Sequence, residues 1–226
     1  VADDAIVMEH AVVSDRAIVR GNALVSGDAW ISGDARVSDH AVITGSTNIM
    51  GHSIVCGHCF VRNASVVGTV AISEFARIDG VDVSIYGDAD INGHAEIGGR
   101  ATIFDRAWVC GNATVSGVAS IGGGTRVYGN VCIDGDVNIE DNVAVRGDAV
   151  IRCIDDFVVM HNTWSSGRTF IWTRSNNKWS VGCFYGTGEE LINKAYRESE
   201  YKGKCYEAAV RYVEQLSKYR EENEGR

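Results

Sequence analysis

The sequence predicts a mainly β chain: a parallel β-helix of about eight triangular coils, capped at its carboxyl end by a small α+β domain. Three observations carry that reading. An aliphatic residue returns every six positions through the first two thirds of the 226 residues. Two positions after it stands Gly, Asp or Asn in 20 of the 24 repeats between 9 and 147. Near residue 152 the beat stops and the charge composition changes with it.

From Ala5 the chain reads AIVMEH, AVVSDR, AIVRGN, ALVSGD, AWISGD, ARVSDH, AVITGS. Val or Ile recurs at 7, 13, 19, 25, 31, 37, 43, 49, 55, 61 and 67, and again from 85 to Ile151, with a small residue, usually Ala, two positions earlier. Six fits neither the helical period nor the strand alternation. It suits a short strand, a corner and another strand. The aliphatic side chain points inward, the small one packs at the crowded corner, and Gly, Asn or Asp supplies a left-handed backbone conformation. Three units close one coil of 18 residues, and coils stack at the strand spacing of about 4.8 Å, giving a prism about 40 Å long.

This repeat resembles the hexapeptide-repeat, left-handed β-helix family, on an aliphatic residue with a small one four positions later, as in Ile31…Ala35 and Ile97…Ala101. The resemblance covers about residues 5–152. It implies left-handed winding, which the period alone does not give and which departs from the general rule for crossovers. It also implies a homotrimer of parallel solenoids. Many members transfer acyl groups from acyl-coenzyme A, with a His as general base on or beside a loop that interrupts the repeat. Here no inserted loop interrupts the coil, and the family's carboxyl-terminal coenzyme-binding patterns are not recognisable.

The one irregularity lies in GTVAISEFARIDGVD, residues 68–82. After Val67 the inward aliphatics are expected at Ile72, Ile78 and Ile85, in steps of five, six and seven that still sum to 18. The segment reads either as tolerated drift or as a bulge that shapes a groove, with Glu74, Asp79 and Asp82 as its carboxylates.

Charge and cysteine content narrow the function classes. Residues 1–152 hold 19 acidic side chains, 10 Arg and no Lys, while 153–226 hold 11 of each sign. The acidic solenoid argues against a general binder of nucleic-acid backbone. There is no apolar run long enough to span a bilayer, and seven cysteines form neither a disulfide framework nor a zinc pattern, which points to a reducing cytoplasm and to no metal or cofactor. Cys56-Gly57-His58-Cys59 has the spacing of a disulfide-isomerase site. In this repeat, however, Cys56 faces out, Gly57 and His58 form the corner and Cys59 takes the inward small slot, with no helix N-terminus to stabilise a thiolate.

Candidate site residues come from stacking in steps of 18. His10, His40, His52, His58 and His94 fall in the solvated corner slot. One ladder is expected to run Asn22, His40, His58, Ala76, His94, Asn112, Asn130, Asp148, which makes His40 and His58 neighbours able to bind an anion, or a metal if a third ligand were present. Trp108 lies below Arg126, and Tyr128 below Arg146 with Cys110 alongside. Aromatic rings flanked by guanidinium groups stack a base and hold a phosphate, or else dock the tail. Tyr86 stacks on Phe104 as a cross-strand pair. Ile6, Leu24, Val42 and Phe60 form an apolar stripe expected at the trimer contact or under a tail module.

Beyond Cys153, strands are expected at 155–161, 168–174 and 178–186. Thr187 and Glu190 make a capping box that opens a helix over 188–198, and a second helix is expected over 204–220 with Tyr206, Ala209, Val210, Val213 and Leu216 on one face. The order TFIWTR…WSVGCFYGTGEEL followed by two helices resembles a tail carried by similar solenoids of phages and bacterial mobile elements. Three function classes follow. One is a non-catalytic trimeric binding protein that sequesters a small anionic ligand such as a signalling nucleotide, or blocks a host defence protein. The second is an acyl-coenzyme A-dependent acyltransferase, and the third is a structural or protein-interaction module.

Overall fold

The computed structural model describes residues 1–223. Residues 1–152 wind into a parallel β-solenoid of about eight turns with three faces. The first face carries nine strand segments, from Ile6–Val7 to Val150–Ile151. The second begins at Val12–Val13 and ends at Asn138–Ile139, and the third runs from Ile18–Val19 to Ala144–Gly147. Each turn donates backbone hydrogen bonds to the next, as in Ile6 N to Ala23 O at 2.9 Å and Met8 N to Val25 O at 3.0 Å. That ladder fixes the 18-residue register, Ile6 opposite Leu24 and Leu24 opposite Val42.

Inside, Val, Ile and Ala fill the prism as one continuous core. Where the small slot carries a polar group, the group is satisfied by a nearby carbonyl: Thr47 Oγ1 donates to Thr44 O at 2.6 Å, Ser53 Oγ to Met50 O at 2.8 Å, and Cys59 Sγ to Cys56 O at 2.9 Å. A buried hydroxyl without such a partner would cost about 1–3 kcal/mol.

The corners turn through the left-handed region. Glycine is required where the next turn crowds the backbone: a Cβ on Gly21 (φ +70°) would lie 2.9 Å from Asp39 N. Acidic residues occupy some of the corners in the same conformation, among them Asp3, Asp15, Asp39, Glu74 and Asp105. Each accepts a hydrogen bond from the corner amide one turn on. Asp3 takes Gly21 N at 3.0 Å, Asp39 takes Gly57 N at 2.9 Å and Glu74 takes Gly93 N at 2.9 Å. Part of the solenoid's acidity is therefore structural, in carboxylates that cap peptide N–H groups left over by the turn.

Ile72, Ile78 and Ile85 of the irregular coil are buried as expected, but its short step comes one unit earlier than expected. Val66 is fully buried and Val67 is 37% exposed, so the inward aliphatic is Val66. The corner after Arg62 is one residue shorter than the one before it, and Phe60 pairs with Arg77 at a spacing of 17. The lost residue returns at Gly80–Val81–Asp82, where the register shifts between Arg62 and Ala64 and the chain bulges outward. Beyond it the 18-residue spacing resumes, with Glu96 opposite Thr114.

The carboxyl-terminal part is a four-stranded antiparallel sheet, Phe157–His161, Thr169–Thr173, Lys178–Val181 and Phe184–Gly186, followed by helices α1 (Gly188–Glu198) and α2 (Glu200–Asn223). The stretch expected as one strand over 178–186 is two, because Gly182 (φ +56°) and Cys183 reverse the chain. The first strand begins at Phe157, after a 3-10 turn over Ile154–Asp156. Helix α2 starts four residues earlier than expected, since the Ser199 hydroxyl accepts from Lys202 N at 3.2 Å and caps it. Residues 224–226 of the expected charged end lie outside the described residues.

Strand alternation makes this sheet two-sided. Phe157, Val159 and Ile171 pack onto the last coil as an extension of its core. Phe170, Trp172 and Trp179 face the other way, against Leu191, Ile192, Tyr206, Val210 and Val213 of the helices. The sheet thus covers the open end of the solenoid. Its register yields a test. Val66→Asp buries an unpaired carboxylate and is expected to lose about 4 kcal/mol or prevent folding. Val67→Asp is expected to change stability by less than about 0.5 kcal/mol. Denaturant melts of the two variants check this.

Candidate anion-binding cleft

The sheet and the solenoid meet along the third face. Arg146, on the last strand of that face, points across the junction. Its Nε donates to Ser180 Oγ at 2.9 Å, Nη1 to Tyr128 OH at 3.0 Å, and Nη2 to Gly182 O at 3.1 Å and to Phe184 O. Its guanidinium also lies 5.2 Å from the Tyr185 ring centroid. Tyr185 OH donates to Arg146 O at 3.2 Å, and burial, reinforced by Asp148, pushes that phenol's pKa up. Asn176 to Asp148 and Val150 N to the Ser175 hydroxyl extend the seam. Of the sequence-predicted cluster, Arg146 therefore holds the tail, with Tyr128 bonded to it from the solenoid.

Arg126 behaves differently. It pairs in register with Trp108, whose ring sits 6.1 Å from Tyr128, and its exposed guanidinium faces a cleft of about 600 Å³ between solenoid and tail. Arg106, from the corner of the preceding turn, and Arg168, from the loop after Phe157–His161, line the same cleft, together with Asn142, Thr169 and Ser180. No carboxylate is among its lining residues. Among the described residues none of these three guanidinium groups has an ion-pair partner, whereas Arg16, Arg62, Arg77, Arg211 and Arg220 all do. The nearest acid in sequence, Asp105, is spent on Gly123 N at 3.3 Å, although it and Asp88 border a smaller depression that Arg106 shares. Three cations without an ion-pair partner among the described residues thus line one cleft of a chain of net charge −9.

His40, His58 and His94 are elsewhere, on the corner between the third and first faces, and His10 and His52 stand on the other two corners. His40 and His58 stack at 4.7 Å with an interplanar angle of 12°. The next ring is Phe75, at 5.3 Å from His58 and 4.9 Å from His94. Ala76 does not take that place as the 18-step expected, because the spacing there is 17 and Ala76 is buried. Among the described residues no group of three His, Cys, Asp or Glu side chains is placed to hold a metal ion. The structure does not bring His40 and His58 to Arg126.

The other candidates separate as well. Asp79 is bound by Arg62 and Arg77, and Glu74 by its corner amide, so the three carboxylates of the bulge do not converge. Cys59 is fully buried, which pushes its pKa up to about 12 and leaves it protonated, and burial raises Cys56 too. Ile6, Leu24, Val42 and Phe60 do form one register column; Ile6 is exposed, and Arg77 covers Phe60 with its guanidinium 4.5 Å from the ring centroid. Arg106 and Arg168 were missed by sequence reasoning. Arg106 was within reach of the coil arithmetic, but Arg168 joins the cleft only through the docking of the tail.

Two outcomes are expected. Arg146→Ala removes charge-assisted bonds from four acceptors and is expected to lower the stability of the tail's docking by about 3 kcal/mol, seen as faster proteolysis after residue 152, with no rescue by Arg146→Lys. Alkylation at pH 8 is expected to label the exposed Cys153 and Cys183 quickly and Cys59 not at all, read by peptide mass spectrometry.

No family model matches the chain, and no curated protein matches it. Among solved structures it is similar to LpxA from Acinetobacter baumannii at 15% sequence identity, with 92% of this chain and 96% of that chain covered and a TM-score of 0.38. That likeness carries nothing about what this chain binds.

Proposed function

We propose that this protein is a non-catalytic binding protein that sequesters a small anionic ligand, in the first instance a nucleotide, in the cleft between solenoid and tail. The observation that carries the reading is the set of three unpaired guanidinium groups, Arg106, Arg126 and Arg168, around a cavity of about 600 Å³ with no lining carboxylate. Arginine forks match phosphate oxygens two at a time, and Thr169 and Ser180 add neutral donors. Trp108 stands one register position from Arg126 on the same face, where a ring can stack on a base.

Two further features belong to the proposal. Copies associate into a homotrimer along the column Ile6, Leu24, Val42 and Phe60, which would cover the exposed Ile6 and the half-buried remainder of the column. The seven free thiols suit a reducing cytoplasm, that of a bacterial or phage-infected cell, where holding a signalling nucleotide away from its receptor is a role such a site fits. Among the described residues, no helix is long and apolar enough to cross a membrane.

Native mass spectrometry with a panel of cyclic and linear nucleotides and acyl-coenzyme A tests the reading. A nucleotide is expected to be retained, and Arg126→Ala and Arg168→Ala are each expected to weaken it by about 10–100-fold, with affinity falling as salt rises. Nucleotide binding that ignores both substitutions would sink it. So would turnover of acyl-coenzyme A.

A further inference from the structure

A second groove lies on the opposite part of the solenoid, and its chemistry is the reverse of the cleft's. It measures about 410 Å³ and follows the corner between the first and second faces. Asn48, Ser65 and Ser84 form its floor, in register on three successive turns. The outward bulge of the irregular coil makes its wall, with Val81 (73% exposed) and Asp82 projecting. Asn63 closes the corner, its Oδ1 accepting from Ser46 N at 3.1 Å. Among the described residues, the side chains of Asn48, Ser65, Asp82 and Ser84 have no hydrogen-bond partner in the protein. The groove is lined by one carboxylate and no cation, because Arg62 and Arg77 on the first face are both tied to Asp79.

One turn beyond the groove's lining residues stands an aromatic platform. Trp30 pairs in register with Asn48, one turn earlier on the same face, and is 52% exposed, its Nε1 donating to Ser14 Oγ at 3.2 Å. Most of a ring of that size is normally buried. An exposed indole, a row of unpartnered hydroxyl and amide groups and a single carboxylate form the donor set that a sugar needs. The ring packs against the C–H face of a pyranose, while Asn, Ser and Asp share its hydroxyl protons. A phosphate or carboxylate finds no counter-charge here. Turns about 4.8 Å apart repeat the floor at close to the length of one sugar unit.

We infer that this groove binds a neutral oligosaccharide, with Trp30 as the stacking platform and Asn48, Ser65, Asp82 and Ser84 as hydroxyl partners. The bulge at Gly80–Val81–Asp82 then has a use, since without it the floor would be a flat sheet face. This site is separate from the arginine cleft and stands or falls independently of it.

The test is isothermal titration of the full chain with maltoheptaose, cellohexaose and chitohexaose, each at two salt concentrations. At least one is expected to bind, with an affinity indifferent to salt, since no charge pair is formed. Trp30→Ala is expected to weaken it at least about tenfold, and Asp82→Ala by a similar factor, while Arg126→Ala leaves it unchanged. Trp30 is exposed, so its variant should keep the far-ultraviolet spectrum of the parent. Three results would overturn the inference: no heat with any of the three oligosaccharides, binding unaffected by Trp30→Ala in a folded variant, or a disulfide between copies of Ser84→Cys, which would place a second copy of the chain on this face.

Discussion

The structure depends on one constraint, the bond from each turn's amide to the carbonyl 17 residues further on. Ile6 to Ala23, Leu24 to Ala41 and Val42 to Cys59 repeat it turn by turn at 2.8–2.9 Å. Because every strand is only two to four residues long over most of the solenoid, no single strand holds its neighbour strongly. The ladder is kept in register by the corners, where a left-handed residue must leave room for the next turn's backbone and still satisfy its N–H. Glycine meets the first demand and an acidic neighbour the second. This alternation, Asp3–Gly21–Asp39–Gly57–Glu74–Gly93, is why one edge of the prism is acidic.

A solenoid built this way has an end problem, since its last turn exposes apolar core and unpaired strand edge. The tail solves it with a two-sided sheet. Ile171 faces the coil, and Phe170 and Trp172 face the helices. Arg146 ties that sheet down through three acceptors, two of them backbone carbonyls of the turn around Gly182, while Tyr128 OH of the solenoid takes a fourth bond. The same docking brings Arg168 over Arg126 and Arg106, so closing the end and forming the cleft are one event.

How far the sequence could be read follows from the same physics. The period and the inward aliphatics were legible because burial imposes them at every turn. The slip to Val66 was not, since Val66 and Val67 are alike and Ala64 and Ser65 both fit a small slot; only the tight corner at Asn63 decides between them. Phe75 in the histidine stack is hidden by the same one-residue deficit. The cluster of Trp108, Arg126, Tyr128 and Arg146 was legible by steps of 18, but its division was not. Arg146 serves the tail and Arg126 the cleft, and that depends on where a non-repeating sheet settles.

The central claim is that three guanidinium groups, without an ion-pair partner among the described residues, are left for a ligand's charge. A crystal structure of the protein grown with the nucleotide it retains in solution addresses that most directly. The account predicts phosphate oxygens between Arg106, Arg126 and Arg168, with the base against Trp108. A nucleotide bound away from the cleft, or the three arginines paired with carboxylates of a neighbouring copy in solution, would contradict it.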